Sequence, residues 1–342
     1  MPVRLTRGQK RRRTMQIFAQ SRARRLVRDL YRAILGREPD PDGGRTYENL
    51  IREVGADRAL PRILRAFLKS DEYRVRADTL AVSHVNEMLA SQGHGLINGR
   101  PVNHLVSLGS FCLPGLIFRD NGLRRYSLPF DWIFSVPAMV RDCLADDFAA
   151  FLDRAQYVAL PSSRGEAGAE HQFYREKYGV SPVFAHHDPT QDADYLHFVR
   201  CVGRFRQLLS SDDTKLFLVI GRPSQNLATE FPLLLEVLTA ATANFVLVCV
   251  ELLDPGEPGL CSLAQVAKAG DHALYRFTPS AFNQQGGFLP DKVDEWTLLR
   301  LVYRYQLELK GSPWREEGEE TEFVETAAEE RRDIQKVEQA VP

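Results

Sequence analysis

Short, continuous runs of apolar residues alternate with helical patterns from residue 104 of this 342-residue chain onward. The runs are too short for helices and predict strands at 104–109, 182–186, 215–220, 245–250 and 273–277. The segments between them predict helices at 113–121, 136–149, 192–210, 225–241 and 293–307. A strand that is apolar throughout is buried on both faces, and an intervening helix supplies the crossover that parallel strands need. We therefore expect an α/β fold in which a largely parallel sheet is flanked by helices.

A small all-helical domain is expected before the sheet. Apolar residues at helical spacing predict a helix over 22–35, and three further helices follow up to about residue 90. Turn-forming residues over 91–102 predict a linker, so that the α/β domain occupies residues 103–312.

Two motifs mark the helical domain. They are LYRAILGREPDPDGG at Leu30–Gly44 and FLKSDEY at Phe67–Tyr73. With these motifs the domain resembles a bacterial module of unknown function that is related in appearance to phycobilisome linker domains. The resemblance implies association with a protein partner through residues 22–90 rather than catalysis.

Charge is concentrated at the two ends of the chain. Residues 1–32 carry eleven Arg or Lys and one acid, whereas residues 311–342 carry ten acids and four bases. We expect a basic flexible arm over 1–21 and an acidic flexible tail over 313–342. The arm shows no aromatic stacking pattern and no nucleic-acid motif, so a nucleic-acid partner is not expected.

The distribution of apolar residues and cysteines bears on the cellular compartment and on metal binding. No secretory signal is recognised at the start, and no run of about 18 apolar residues predicts a membrane span. The five cysteines are widely spaced and form no C-x-x-C pair, which argues against a zinc knuckle or a thioredoxin-like site. We expect a cytoplasmic protein with no metal and no cofactor.

Candidate chemistry follows the predicted strands, because functional groups in parallel α/β sheets gather at the carboxyl ends of the strands. Cys112 follows the first strand and precedes a helix, where backbone N–H groups and the helix dipole favour a thiolate. His186 and His187 follow the second strand and could take the proton from the thiol. Asp188, Asp131 and Asn226 are alternatives for the group that orients this base, and Asp131 could equally brace its own turn.

Further side chains near these strand ends are candidates for substrate binding. They are Ser110, Trp132, Arg222 and Asn226. N–H groups of the turn at Gly109–Phe111 and of the helix start could stabilise an oxyanion.

Several motifs of the second domain occur together. They are SLG-x-x-C at Ser107–Cys112, PFDW at Pro129–Trp132, F-x-H at Phe184–His186, and RFRQLL…KLFLVIGRP between Arg204 and Pro223. With them, residues 103–312 resemble a bacterial family of papain-like cysteine peptidases of unknown function. The resemblance implies Cys112 as nucleophile and His186 or His187 as base, in a cysteine-dependent hydrolase or acyltransferase. The substrate, whether peptide, ester or glycan-linked, stays open.

Two other functions also stay open. A serine esterase of the flavodoxin-like type would use Ser110, although the aspartate expected before that serine is missing and no histidine follows His272. A non-catalytic binding or scaffold protein, linked to a glycan or a cell-surface assembly, would use the helical domain to recruit a partner.

Overall fold

The computed structural model describes residues 21–160, 168–256, 260–284 and 287–312. Contacts divide the chain into two compact units, Met1–Glu87 and Met88–Pro342. The predicted acidic tail, and the predicted basic arm up to residue 20, lie outside the described residues. Within the described ranges, no helix is both long enough and apolar enough to cross a bilayer.

The first unit is helical, as predicted. Helix α1 covers residues 21–35 and ends in a π-helical turn. It is followed by α2 (Pro41–Val54), α3 (Ala56–Leu68) and α4 (Asp71–Ser91), whose last residues belong to the second unit. Asp40 caps α2 by accepting the N–H of Gly43 at 2.7 Å, which satisfies a donor that the helix start leaves unpaired. Tyr31, Tyr47 and Phe67 meet edge to face or tilted in the core of this unit.

The second unit is built on a five-stranded sheet with the order β1-β4-β5-β7-β6. Its strands are β1 (His104–Ser107), β4 (Lys215–Gly221), β5 (Phe245–Leu252), β6 (Ser262–Ala269) and β7 (His272–Thr278). Strands β1, β4, β5 and β7 are parallel, and β6 pairs antiparallel with β7 at the edge. A separate antiparallel pair joins β2 (Tyr157–Ala159) to β3 (Ala169–His171). The expected α/β fold with a largely parallel sheet is confirmed.

Helices cover both faces of the five-stranded sheet. They are α5 (Leu113–Asp120), α6 (Pro137–Ala145), α7 (Gln172–Tyr178), α8 (Asp192–Ser210), α9 (Leu227–Ala241) and α10 (Lys292–Tyr303). Alternate residues of β4 enter different cores: Phe217 packs with the α6, α8 and α9 side, and Leu218 with the α5 and α10 side. Burial on both faces explains why β4 is apolar at nearly every position.

The observed strands differ from the predicted ones at 182–186 and at β2, β3 and β6, which were not predicted. Residues 182–186 do not form a strand; only Phe184 makes isolated bridges, to Ile133 and Ala169. Val183 and Phe184 are fully buried, so the segment has the composition of a strand although it is a buried loop. Strand β6 was not predicted, because its residues are mostly exposed and lack a continuous apolar run.

Residues 95–102, part of the predicted linker 91–102, pair with the segment after α10. Gly95 donates its N–H to the carbonyl of Arg304 at 2.9 Å, and Val102 donates to Gln306 at 2.8 Å. These residues therefore lie along the α/β unit and lead directly into β1.

Candidate functional site

The turn after β1 places Cys112 at the start of α5. Gly109 and Ser110 have φ values of 77° and 87°, a region that suits glycine and strains serine. A Cβ on Gly109 would lie 2.5 Å from Ser135 Oγ, so only glycine fits. Cys112 is the N-cap residue of α5, is partly exposed and forms no disulfide. A partly exposed thiol at a helix N-terminus has the setting of a reactive cysteine.

Two N–H groups of this turn are already engaged. Gly109 donates to Ser107 Oγ at 3.3 Å, and Ser110 donates to Ser135 Oγ at 3.0 Å. Donors for an oxyanion would therefore come from the first turn of α5, whose N–H groups have no partners within the helix.

Residues 133–135 connect the Cys112 turn to the segment that precedes the histidines. Ser135 donates its N–H to the carbonyl of Ser110 at 3.1 Å. Phe134 donates its N–H to the carbonyl of Val183 at 2.9 Å. Cys112 is two residues after Ser110, and His187 is four residues after Val183. The thiol and the imidazole therefore lie on neighbouring loops.

His187 is paired with an aspartate that sequence reasoning missed. Its Nδ1 lies 3.2 Å from Asp194 Oδ1, and Asp194 Oδ2 accepts the backbone N–H of Asp188 at 2.6 Å. Asp194 belongs to the first turn of α8. With Nδ1–H directed at the carboxylate, the Nε2 of a neutral His187 is the proton acceptor. The pair thus has the arrangement of a base and its orienting group.

His197 provides a flat surface for the His187 ring. The two rings stack with centroids 4.8 Å apart and planes 19° apart, and Phe198 meets His187 edge-on at 5.4 Å. Burial, and then the nearby His187, lower the pKa of His197 to about 3. His197 is therefore neutral at pH 7, so it does not repel a positive charge that forms on His187.

Three of the four other residues predicted to supply or orient the base have different surroundings. His186 is exposed. Asp188 accepts the N–H of Thr190 at 3.1 Å, which stabilises the loop. Asn226 is exposed and has a left-handed backbone (φ 49°) where a 3-10 turn ends and α9 begins. Among the described residues, no group of three or more His, Cys, Asp and Glu side chains could hold a metal ion.

Asp131 and Trp132 belong to the support of α5. Asp131 is buried and accepts the N–H of Leu128 at 2.9 Å and the Nε–H of Arg124 at 3.3 Å. The guanidinium groups of Arg119 and Arg124 lie 5.3 Å and 5.1 Å from the Trp132 ring. A Cβ on Gly115 would lie 2.8 Å from the Asp131 carbonyl, so the turn packs directly on α5. These contacts hold the helix that carries Cys112.

Ser110 and Arg222 lie at the ends of adjacent strands. Ser110 is only 3 % exposed, and its Oγ has no hydrogen-bond partner among the described residues. No described histidine is therefore in position to take its proton. Arg222 follows β4, and its Nη2 lies 2.7 Å from Asp254 Oδ1.

The remaining thiols differ from Cys112 in burial. Cys143, Cys201 and Cys249 are buried, and burial raises the pKa of each, to about 12 for Cys143 and Cys201. These thiols stay protonated at neutral pH. Cys261 is partly exposed, with its Sγ 3.5 Å from Thr297 Oγ1. Cys261 is thus a natural reference for the reactivity of Cys112.

A family of known proteins matches part of the chain. No curated protein and no solved structure matches the chain. The matching family covers residues 103–252, from the residue before β1 to the end of β5, and so includes Cys112, His187, Asp194 and Arg222. This segment of the chain is similar to the family described as "Putative papain-like cysteine peptidase (DUF1796)".

Proposed function

We propose that the α/β unit is a cysteine-dependent hydrolase or acyltransferase. Cys112 is the nucleophile, His187 the general base and Asp194 the group that orients the base. One observation carries this assignment: the Nδ1 of His187 is held 3.2 Å from Asp194, in a loop that hydrogen bonds tie to the Cys112 turn. Similarity to a cysteine peptidase family over the same residues supports it.

The residues divide the reaction into two steps. His187 Nε2 takes the thiol proton, and Cys112 Sγ attacks the carbonyl carbon of an amide, ester or thioester. The leaving group departs with the proton from the imidazolium, and the acyl group remains on sulfur. Water or another acceptor then attacks the thioester, gives its proton to His187 and releases the acyl product, so the thiol and the neutral imidazole are restored.

The surroundings of His187 suit this proton transfer. Asp194 stabilises the imidazolium while it exists, and the neutral His197 adds no opposing charge. The first-turn N–H groups of α5 face the carboxyl edge, where the oxyanion of the intermediate would develop.

Ser110 is a weaker candidate nucleophile. Its hydroxyl is covered, and none of the described residues accepts its proton. A serine esterase would need a base in contact with this hydroxyl.

Alkylation with iodoacetamide over a pH series tests the proposal. Cys261 serves as the internal reference, because it is the second partly exposed thiol and lies on β6's side of the sheet. The key variant is His187→Ala, and His94→Ala, at an exposed histidine, is the matched control. Adducts are located by peptide mass spectrometry, and a fluorophosphonate is applied in parallel.

We expect selective alkylation of Cys112 below pH 7 that His187→Ala abolishes and His94→Ala preserves. A Cys112 that reacts only in denaturant would contradict the proposal and favour a binding or scaffold role. A fluorophosphonate adduct on Ser110 would replace it with the serine esterase.

A further inference from the structure

Arg222 is tied by hydrogen bonds to the turn that carries Cys112. Its backbone N–H donates to Gln225 Oε1 at 3.2 Å, and Gln225 Nε2 donates to the carbonyl of Ser135 at 3.2 Å. The Oγ of Ser135 in turn accepts the N–H of Ser110. Strands β1 and β4 are parallel neighbours, so the segments that leave them emerge side by side. Arg222 therefore lies on the loop adjacent to the nucleophile.

An aromatic pair makes a second connection. The Cζ atom of Arg222 lies 5.0 Å from the centre of the Phe282 ring. Phe282 meets Phe111 edge to face, with ring centroids 6.2 Å apart. Since Phe111 directly precedes Cys112 in the chain, the guanidinium is held on a ring that itself packs on the Cys112 turn.

The charge of this guanidinium is only partly compensated. Nη2 contacts Asp254 at 2.7 Å, but the Asp254 side chain is 79 % exposed. Nη1 is buried and has no hydrogen-bond acceptor among the described residues. A buried charged donor without an acceptor is unfavourable, whereas an exposed ion pair contributes little and exchanges readily. Asp254 thus shows that a carboxylate fits at Nη2, and its exposed ion pair is weak enough to be displaced.

We infer that Arg222 binds a carboxylate of the substrate, which replaces Asp254 at Nη2 while the adjacent carbonyl is attacked by Cys112. The inference rests on the proposed function and narrows its substrate to acyl compounds that carry a negative charge close to the scissile bond. A planar guanidinium fixed against an aromatic ring is well suited to such an anion.

Two alkylating agents of nearly equal size test the inference. Iodoacetate carries a carboxylate, and iodoacetamide is neutral. The ratio of their rates at Cys112 reports recognition of the negative charge, whereas the iodoacetamide rate alone reports the thiolate. The variants are Arg222→Gln, Arg222→Lys and Asp254→Asn. Arg206→Gln is the control, because Arg206, on α8, forms a comparable exposed pair with Asp147.

Arg222→Gln should lower the iodoacetate-to-iodoacetamide ratio at Cys112 about tenfold, the scale of one charge-assisted hydrogen bond. Arg222→Lys should restore part of it, and Asp254→Asn should raise it, because the competing carboxylate is gone. Arg206→Gln should leave the ratio at Cys112 unchanged. The ratio measured at Cys261 should be the same in all variants. A ratio that Arg222→Gln and Asp254→Asn both leave unchanged, with a His187-dependent iodoacetamide rate, would overturn the inference and leave the proposed function intact.

Calorimetric titration with malonate gives a readout that needs no reactive thiol. Binding that Arg222→Gln abolishes and Arg206→Gln preserves supports the carboxylate site even if Cys112 proves unreactive. Equal heats for the wild type and Arg222→Gln would overturn the site.

Discussion

The His104–Asp213 and His187–Asp194 pairs use the same two side chains in different surroundings. His104 is the first residue of β1, is 2 % exposed, and has both ring nitrogens occupied: Nε2 by Asp213 at 3.0 Å and Nδ1 by the Tyr126 hydroxyl at 2.8 Å. The His187 side chain is 26 % exposed, and its Nδ1 contacts Asp194 at 3.2 Å.

The difference shows that position in an α/β sheet distinguishes a structural histidine from a candidate base. His104 begins its strand, at the amino edge, and a ring with both nitrogens bonded to protein has no site for a substrate proton. His187 lies on the loop tied to the Cys112 turn, beyond the carboxyl end of β1. Substitutions in and beside the two pairs should therefore separate effects on Cys112 reactivity from effects on stability.

His187→Ala should have the largest effect. At pH 6 we expect the rate of Cys112 alkylation to fall about 100-fold, because no imidazole is left to take the proton from the thiol. His104→Ala should leave this rate unchanged. Equal rates for the wild type and His187→Ala would remove the distinction between the two pairs.

His104→Ala should instead destabilise the fold. It leaves the buried Tyr126 hydroxyl without its partner and removes one of the two side chains that contact the Asp213 carboxylate, the other being Lys310. The loss costs about 2–3 kcal/mol. Urea unfolding should show a lower midpoint with an unchanged slope. His187→Ala, at a partly exposed ring, should shift the midpoint much less, and a larger shift there would reverse the assignment.

The stability of the wild type should fall as the pH drops from 7 to 5. The pKa of His197 is lowered to about 3 in the folded chain, mainly by burial, whereas an unfolded histidine titrates near pH 6.5. Below pH 6.5 the unfolded chain therefore binds a proton that the folded chain does not, so stability present above pH 6.5 is lost toward pH 3. His197→Phe should reduce this loss by about 1–2 kcal/mol at pH 5, measured by urea unfolding at both pH values. If His197→Phe leaves the pH dependence of stability unchanged, His197 binds its proton as readily in the folded chain as in the unfolded chain.

Asp194→Asn should give the smallest effect on reactivity. We expect Cys112 alkylation at pH 6 to slow about tenfold, since the imidazolium loses the carboxylate that stabilises it. Asp213→Asn, the matching change at the buried pair, should not alter the alkylation rate. If Asp194→Asn also has no effect, Asp194 only supports the loop through the N–H of Asp188.

The sequence predicted the main sheet where strands are apolar on both faces. Strands β4 and β5 are almost entirely buried, so their composition alone distinguishes them from helices and turns. The same rule failed at 182–186, where buried residues pack as a loop. It also failed at β6, an exposed edge strand whose pairing with β7 depends on a hairpin rather than on burial.

The candidate site was only half predictable. Cys112 could be located because it follows β1 directly and starts a helix, and both signals are local. Asp194 carried no comparable signal: it is one of two acids in the first turn of α8, where aspartate is common for its effect on the helix dipole. Its contact with His187 depends on the path of the loop between them.

The layered architecture and the position of Cys112 follow from the order of amino acids alone, because apolar periodicity and turn chemistry act over a few neighbouring residues. The packing of distant segments was needed to show which histidine contacts a carboxylate and which arginine lies beside the Cys112 turn. Those pairings join residues on separate loops, and they depend on how the strands and helices pack. The position of Cys112 was thus a local prediction, whereas its proposed partners depend on the fold.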